Sequence, residues 1–194
     1  MFNLDQLLAL EGQRRSDLLM MDLEQAIEQK SARLGEDSLS EAECIVLAVE
    51  ALEREVNNGG YSQFFVNNSR VYMPMMVAAL RGIGCPVTAE ITEKAIKAAG
   101  FHGLAIADLV AALDSYHQNY FRRNPPQFVA AAASDPEFLE LVANADAPQL
   151  ADDPKWDSRE NELSECDHQY YRSGEDVAGK LFEFVRTHRG EFEL

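Results

Sequence analysis

The stretch Val56-Asn57-Asn58-Gly59-Gly60-Tyr61-Ser62-Gln63-Phe64-Phe65 limits this chain more than any other. Ahead of it, Ser40 followed three residues later by Glu43 makes a capping box, so a helix starts there. Ile45, Val49, Leu52 and Val56 step by four, three and four and give that helix one buried stripe. Asn57 and Asn58 tolerate left-handed backbone angles, and Gly59 and Gly60 have no Cβ to forbid them. The helix is therefore expected to stop here. Beyond the turn, Tyr61, Phe64 and Phe65 fall at i, i+3 and i+4 on one face of a second, short helix. Asn57, Asn58, Gln63, Asn67 and Asn68 ring these aromatics with amides. Such amides suit a hydrogen-bonding pocket or a structural corner. With no nucleophile, base or metal ligand beside them, the corner is expected.

Two helical segments precede the motif, over 3–15 (Leu4, Leu7, Leu8, Leu10) and 16–34. Ser16 is the N-cap candidate of the second, and Leu19, Leu23, Ala26, Ile27 and Leu34 supply its stripe. After the motif, helices are expected over 71–82 (Met75, Met76, Ala79, Leu80) and from Thr88 to Ala98 (Ile91, Ala95, Ile96). A longer one covers 103–122, with Leu104, Ala107, Leu109, Val110, Leu113 and Tyr116, ended by Pro125-Pro126. Helices over 126–133 and from Pro136 to Asn144, a loop from Asp146 to Pro154, and helices over 157–172 and 174–188 complete the chain. No run alternates like a strand. The expected fold is all-α, a single irregular multi-helix bundle over 1–194, with 1–35 as an N-terminal helical extension.

Charge narrows the partners. Against 33 Asp and Glu stand 17 Lys and Arg, a net of −16. Residues 1–65 hold 13 acids and 5 bases, 66–133 hold 4 and 6, and 134–194 hold 16 and 6. Both ends are acidic and the middle is nearly neutral. Such a surface repels nucleic acid and anionic membrane, attracts basic partners, and also keeps a protein soluble. No run approaches the roughly 18 apolar residues of a membrane span, and the N-terminus lacks a signal-peptide pattern. Cys44, Cys85 and Cys166 are odd in number and widely spaced, as in reduced cytoplasmic thiols.

Catalytic signatures are sparse. His102, His117, His168 and His188 lack the i, i+4 spacing of a helical zinc site. Cys166 and His168, two apart, face different ways on a helix. There is no P-loop, dinucleotide fingerprint or nucleophile elbow. Arg122-Arg123 fits a helix C-terminus, and Met20, Met21, Met73, Met75 and Met76 fit core filler. Trp156, among Asp152, Asp153 and Asp157, suits either a partner anchor or a lid over the bundle. The chain is expected to be no enzyme, with no cofactor and no metal.

Residues 56–65 resemble the signature Val-Asn-Asn-Gly-Gly-Phe-x-Gln-Phe-Phe of a bacterial family of unknown function, one characterised member of which is an acidic DNA-mimic protein that binds a transcription factor. Tyr61 stands where Phe is commoner. The resemblance runs from about residue 40 to the C-terminus, through Tyr170-Tyr171 and Phe184-Val185-Arg186-Thr187-His188, and leaves 1–35 unmatched. It implies a DNA mimic that occupies the DNA-binding surface of a basic regulator such as a transcription factor, without itself binding nucleic acid. The alternative is an immunity-type inhibitor of a basic toxin such as a nuclease. A homodimer is left open.

Carboxylates four apart on a helix lie about 6 Å apart along its axis, so a helical acid row approximates a row of phosphates. Asp17, Glu24 and Glu28 with Glu36 and Asp37 make one candidate partner-binding row. Asp157, Glu160, Glu162, Glu165 and Asp167 make the other.

Overall fold

The computed structural model describes residues 4–124 and 153–194. Among them eight α-helices follow one another: α1 (Leu4–Leu8), α2 (Ser16–Leu34), α3 (Glu41–Val66), α4 (Met73–Gly82), α5 (Pro86–Ala98), α6 (Ile106–Arg123), α7 (Trp156–Arg172) and α8 (Val177–Thr187). Short 3-10 turns lie at Glu36–Ser38, Asn68–Tyr72 and Arg189–Glu191. No strand occurs among the described residues, and the fold is all-α. The helices expected over 126–133 and 136–144, and most of the loop after them, lie outside the described residues.

The 26 residues of α3 form the axis. Helices α2, α4, α6, α7 and α8 all pack on it, so it is buried on nearly every side, as a central helix must be. Val46, Val49, Leu52, Val56, Phe64 and Phe65 have no exposed surface. The stripe read from sequence is therefore too narrow, and its first member, Ile45, is half-buried. Helix α2 lays Leu19, Met20, Leu23 and Ile27 against α3 and α8. Leu34, expected in that stripe, is exposed at its last turn. Leu7, from the segment ahead of α2, joins the same buried cluster.

Several boundaries differ from the sequence reading. Helix α1 ends at Leu8, and the chain turns through Gly12 at φ +73° rather than continuing to residue 15. Arg15, not Ser16, is the N-cap of α2, with no side-chain cap bond. Helix α5 starts at Pro86, since proline suits the first turn. Its cap is remote: the Val87 N–H, the Thr88 N–H and the Thr88 hydroxyl donate to the Glu175 carboxylate at 3.0, 2.7 and 2.7 Å. Helix α6 starts at Ile106 and buries Leu109, Leu113 and Tyr116, while Leu104, Ala107 and Val110 face outward. One stripe of that helix meets the core. The expected pattern had counted apolar residues from two faces.

The capping box forms as read. The Glu43 N–H donates to Ser40 Oγ at 3.1 Å, and the Ser40 N–H to Glu43 Oε2 at 2.9 Å. Glu43 also takes Lys30 Nζ of α2, at 2.9 and 2.8 Å, and both side chains are buried. The pair pins the N-terminal extension to the start of α3. Lys30→Met is expected to cost about 3–5 kcal/mol, since it strands a buried carboxylate. Adding Glu43→Gln removes the second charge, keeps a capping side chain, and should recover much of the loss. Urea unfolding of both variants measures this, and a single-variant cost under about 1 kcal/mol would show that α2 is not held here.

Candidate functional site

At the Asn-Asn-Gly-Gly motif the helical angles stop, as the sequence predicts, and a second, short helix follows across a kink to Val66; the two are numbered together as α3. Gly59 is extended at φ −165°, and Gly60 takes φ +77° and ψ −174°, a region essentially reserved for glycine. Asn57 and Asn58 stay helical, so of the four residues expected to turn the chain only Gly60 has a positive φ. The bend frees backbone groups, and α7 answers them. The Tyr61 N–H donates to Asp167 Oδ1 at 2.8 Å, and the Tyr171 hydroxyl to the Val56 carbonyl at 2.6 Å. The Tyr170 hydroxyl donates to Glu53.

The amides close around a carboxylate that sequence reading missed. Glu55 Oε2 accepts from Gln63 Nε2 at 2.9 Å and Asn67 Nδ2 at 2.7 Å, and Oε1 accepts from Ser69 Oγ at 2.8 Å. Burial pushes the Glu55 carboxyl up, but these three bonds and Arg54 together hold it below the usual range. The signal was available: Glu55 lies three residues after Leu52 and next to Val56, on the buried side of α3. Asn57 instead donates to its own helix, at the Glu53 carbonyl, 2.7 Å away.

The aromatics fill the inside of the bend. Phe65 stands edge-on to Phe101 and Tyr116, with ring centres 5.2 and 6.1 Å apart. The Thr92 hydroxyl donates to the Thr88 carbonyl, so at 2.8 Å Tyr61 must donate to Thr92. That bond satisfies the phenol standing where the signature has Phe. Trp156 is buried against Tyr116 with Arg123 over its ring at 5.8 Å. It is a lid over the bundle. Met20, Met73 and Met76 are buried in the core, while Met21 is exposed. Cys166 is buried, its thiol pushed up to about 11 by burial and then by Asp167, and His168 is exposed beside Glu165.

The two acid rows fare differently. In α7, Asp167 is taken up by the bend, and Glu160 accepts the Tyr116 hydroxyl at 2.8 Å and Ser62 Oγ at 3.2 Å. Asp157 pairs with Arg123 at 3.3 Å. Glu162 and Glu165 share a groove of about 570 Å³ with Lys94, Lys97, Lys155 and Arg159. That side is of mixed charge. On α2 Glu28 is exposed, Asp17 is half-exposed and Glu24 pairs with Arg54 at 2.6 Å, and Glu36 and Asp37 are exposed in the turn that follows. Their fields converge. The Tyr72 phenol is pushed up by burial, then by Cys44, Glu36, Glu28 and Glu24. Glu50, buried on α3, is pushed up to about 8 by burial, then by Glu24 and Glu53, with Asp17 adding to them.

Among the described residues no three His, Cys, Asp or Glu side chains form a metal site, and no helix is long and apolar enough to cross a membrane. A family model described as DMP19-like protein matches residues 37–188. The chain belongs to the DMP19-like family. The matched stretch holds the bend, its Glu55 cage and all of α7, whereas α2 lies ahead of it, as the unmatched extension 1–35 led one to expect. Neither the curated proteins nor the solved structures contain a match to the chain.

The bend makes a local prediction for this DMP19-like chain. A Cβ on Gly60 would sit 2.3 Å from Asp167 Oδ2 at a φ that L side chains rarely adopt. One on Gly59, at a negative φ, would meet the Gln63 side chain and push its amide at the expense of the bond to Glu55. Gly60→Ala is expected to cost more than about 2 kcal/mol and Gly59→Ala nearer 1. Thermal unfolding of the pair in the reverse order would remove Gly60 as the pivot. Glu50 makes a second. Its folded pKa lies above the unfolded 4.5, so from there to about pH 8 the folded chain holds a proton that the unfolded chain has lost. Stability from this group therefore falls as pH rises through that window. Glu50→Gln should flatten the fall and stabilise the protein at pH 8.5 by on the order of 3 kcal/mol, measured by urea unfolding at pH 5 and 8.5.

Proposed function

We propose that this protein is a DNA mimic: a binding protein without enzymatic activity or cofactor, whose carboxylates occupy the DNA-binding surface of a basic regulator such as a transcription factor. Membership of the DMP19-like family supports the reading. The observation that carries it is the acid row of Asp17, Glu24 and Glu28, seven and four apart on one face of α2, continued by exposed Glu36 in the turn that follows. From Asp17 to Glu28 is about 16 Å along the helix axis, the scale of a few phosphates on one strand. Asp37 extends the row beyond α2. Asp157, Glu160, Glu162, Glu165 and Asp167 contribute less in this reading, because they are spent on internal bonds or lie beside lysines. In the first row Asp17 and Glu24 are likewise paired, and Glu28, Glu36 and Asp37 are the exposed acids. The frame then comes from the family region and the partner-facing charge from the extension.

A partner captured from the native lysate should bind this protein in competition with a DNA duplex, followed by fluorescence anisotropy. Binding should weaken between 0.1 and 1 M salt as the screening length shrinks from about 10 to about 3 Å. Joint reversal of Glu28, Glu36 and Asp37 to Lys should lower affinity at least about tenfold, mainly by slowing association. Reversal of Glu162 and Glu165 should change it by less than about threefold. Simultaneous binding of protein and DNA to the partner sinks the mimic. Loss of a captured nuclease's activity without DNA competition favours the inhibitor of a basic toxin.

A further inference from the structure

Between α2, α3 and the start of α8 lies a cleft of about 370 Å³, the lower end of the range for small-ligand sites. Asp17 and Glu24 reach it from α2, Glu50 and Glu53 from α3. Most of these have partners. Asp17 pairs with Arg15, Glu24 with Arg54, and Glu53 receives the Tyr170 hydroxyl. Glu50 does not: it is 8% exposed, lines the cleft, and no donor among the described residues bonds to it. The residue is almost wholly covered, yet its oxygens are not sealed off: they open to the cleft. A carboxyl that faces a cleft with no donor bonded to it is a place held for a donor from outside.

We propose that this cleft receives one organic cation, an alkylguanidinium or alkylammonium group, whose N–H groups are taken by the Glu50 carboxylate. Asp17 and Glu24 are met by Arg15 and Arg54, and burial pushes Glu53 up to about 7. The charge that sets the sign of the guest is therefore the carboxylate Glu50 becomes when it gives up its proton. Arg54 is itself held by Glu24, which leaves Glu50 for the guest. Asn57 spends its N–H on the Glu53 carbonyl, so its amide oxygen stays available as a further acceptor. Met21 and Ala178 supply apolar wall for an aliphatic stem. The acids do not cluster closely enough for a metal ion, which needs several oxygens at short range. A larger cation with spread-out donors suits them better.

Occupancy is coupled to a proton. The groups facing Glu50 are Glu24 and Asp17 from α2, and Glu53 and Arg54 from its own helix, with Asp176 at the cap of α8 acting on Glu53. With Glu50 pushed up to about 8, the empty cleft holds a neutral acid near pH 7, and the arriving cation expels its proton. Affinity should therefore rise roughly tenfold from pH 7 to pH 9, with close to one proton released per cation at pH 7.

The cation has two sources of the same chemistry, an Arg or Lys side chain of a docked protein or a free small molecule. The site itself does not depend on the mimic reading; the first source does. Nα-acetylarginine methylamide is titrated into the full chain, with the Glu50 side-chain carbon followed by NMR and proton release by calorimetry in two buffers. A saturable shift of the Glu50 carbon with proton release supports the site, and its absence overturns it. Glu50→Gln should abolish both the proton release and the pH dependence. Ala178→Phe, which fills the cleft without touching a charge, should block binding; retained binding in either variant also overturns the site. In the DNA-competition assay, a Glu50→Gln loss of about tenfold or more in partner affinity assigns the cation to the partner. Unchanged partner affinity in that variant, with the probe bound by the parent chain and lost from the variant, assigns it to a free molecule. Probe binding without any DNA competition keeps the cleft and removes the mimic, and the reverse result does the opposite.

Discussion

The fold depends on one break in one helix. At Gly59 and Gly60 the backbone of α3 leaves helical angles and then resumes them, so its carbonyls and N–H groups at that point need partners from elsewhere. Asp167 and Tyr171 provide them from α7, over a hundred residues away in sequence. The Glu55 cage ties the two halves of the helix together from the other side, through Gln63, Asn67 and Ser69. Bending α3 turns Tyr61, Phe64 and Phe65 into a common core with Phe101, Tyr116 and Tyr170. A straight helix would present those rings along a line and leave α6 and α7 without a shared surface.

Donors buried at several points of the fold sort the charge. A carboxylate leaves water at low cost only when donors meet it, and Glu43, Glu55, Glu160, Asp167 and Glu175 are each met by specific donors. These acids build the protein. The net −16 therefore overstates what a partner would meet, and the side where α5 faces α7 carries lysines as well. The acidity left exposed, Glu28 on α2 with Glu36 and Asp37 in the turn after it, is a structural remainder with a direction, which the count of acids and bases by region could not supply.

Much of the fold was legible because its signals are local. The capping box at Ser40 and Glu43, the apolar stripes of α2 through α5, and the helix-by-helix order follow from periodicity and caps. The motif was legible as a corner, but its form was not. Asn57 to Gly60 could all have taken a turn, and the choice of Gly60 alone is made by Asp167, which only the folded chain brings near. Glu175 capping α5 and Lys30 reaching Glu43 escaped for the same reason, since sequence spacing carries no sign of a partner on another helix. The acid rows show the limit most clearly. Glu160 and Asp167 read as surface on an acidic helix, and both point inward because α7 buries Leu163, Cys166 and Tyr170 on the adjoining stripe.

A mimic needs more than charge, because carboxylates on mobile side chains repel one another and spread, and holding them costs entropy at binding. Under the mimic reading proposed above, two contacts hold the α2 row in place. Lys30 and Glu43 fix the helix against α3 from beneath, so its exposed acids keep their spacing. Arg54 holds Glu24 in place while cancelling part of its charge, which lowers repulsion in the middle of the row. The residues that anchor α2 from the α3 side belong to the matched stretch, and the acids it presents come mostly from outside it.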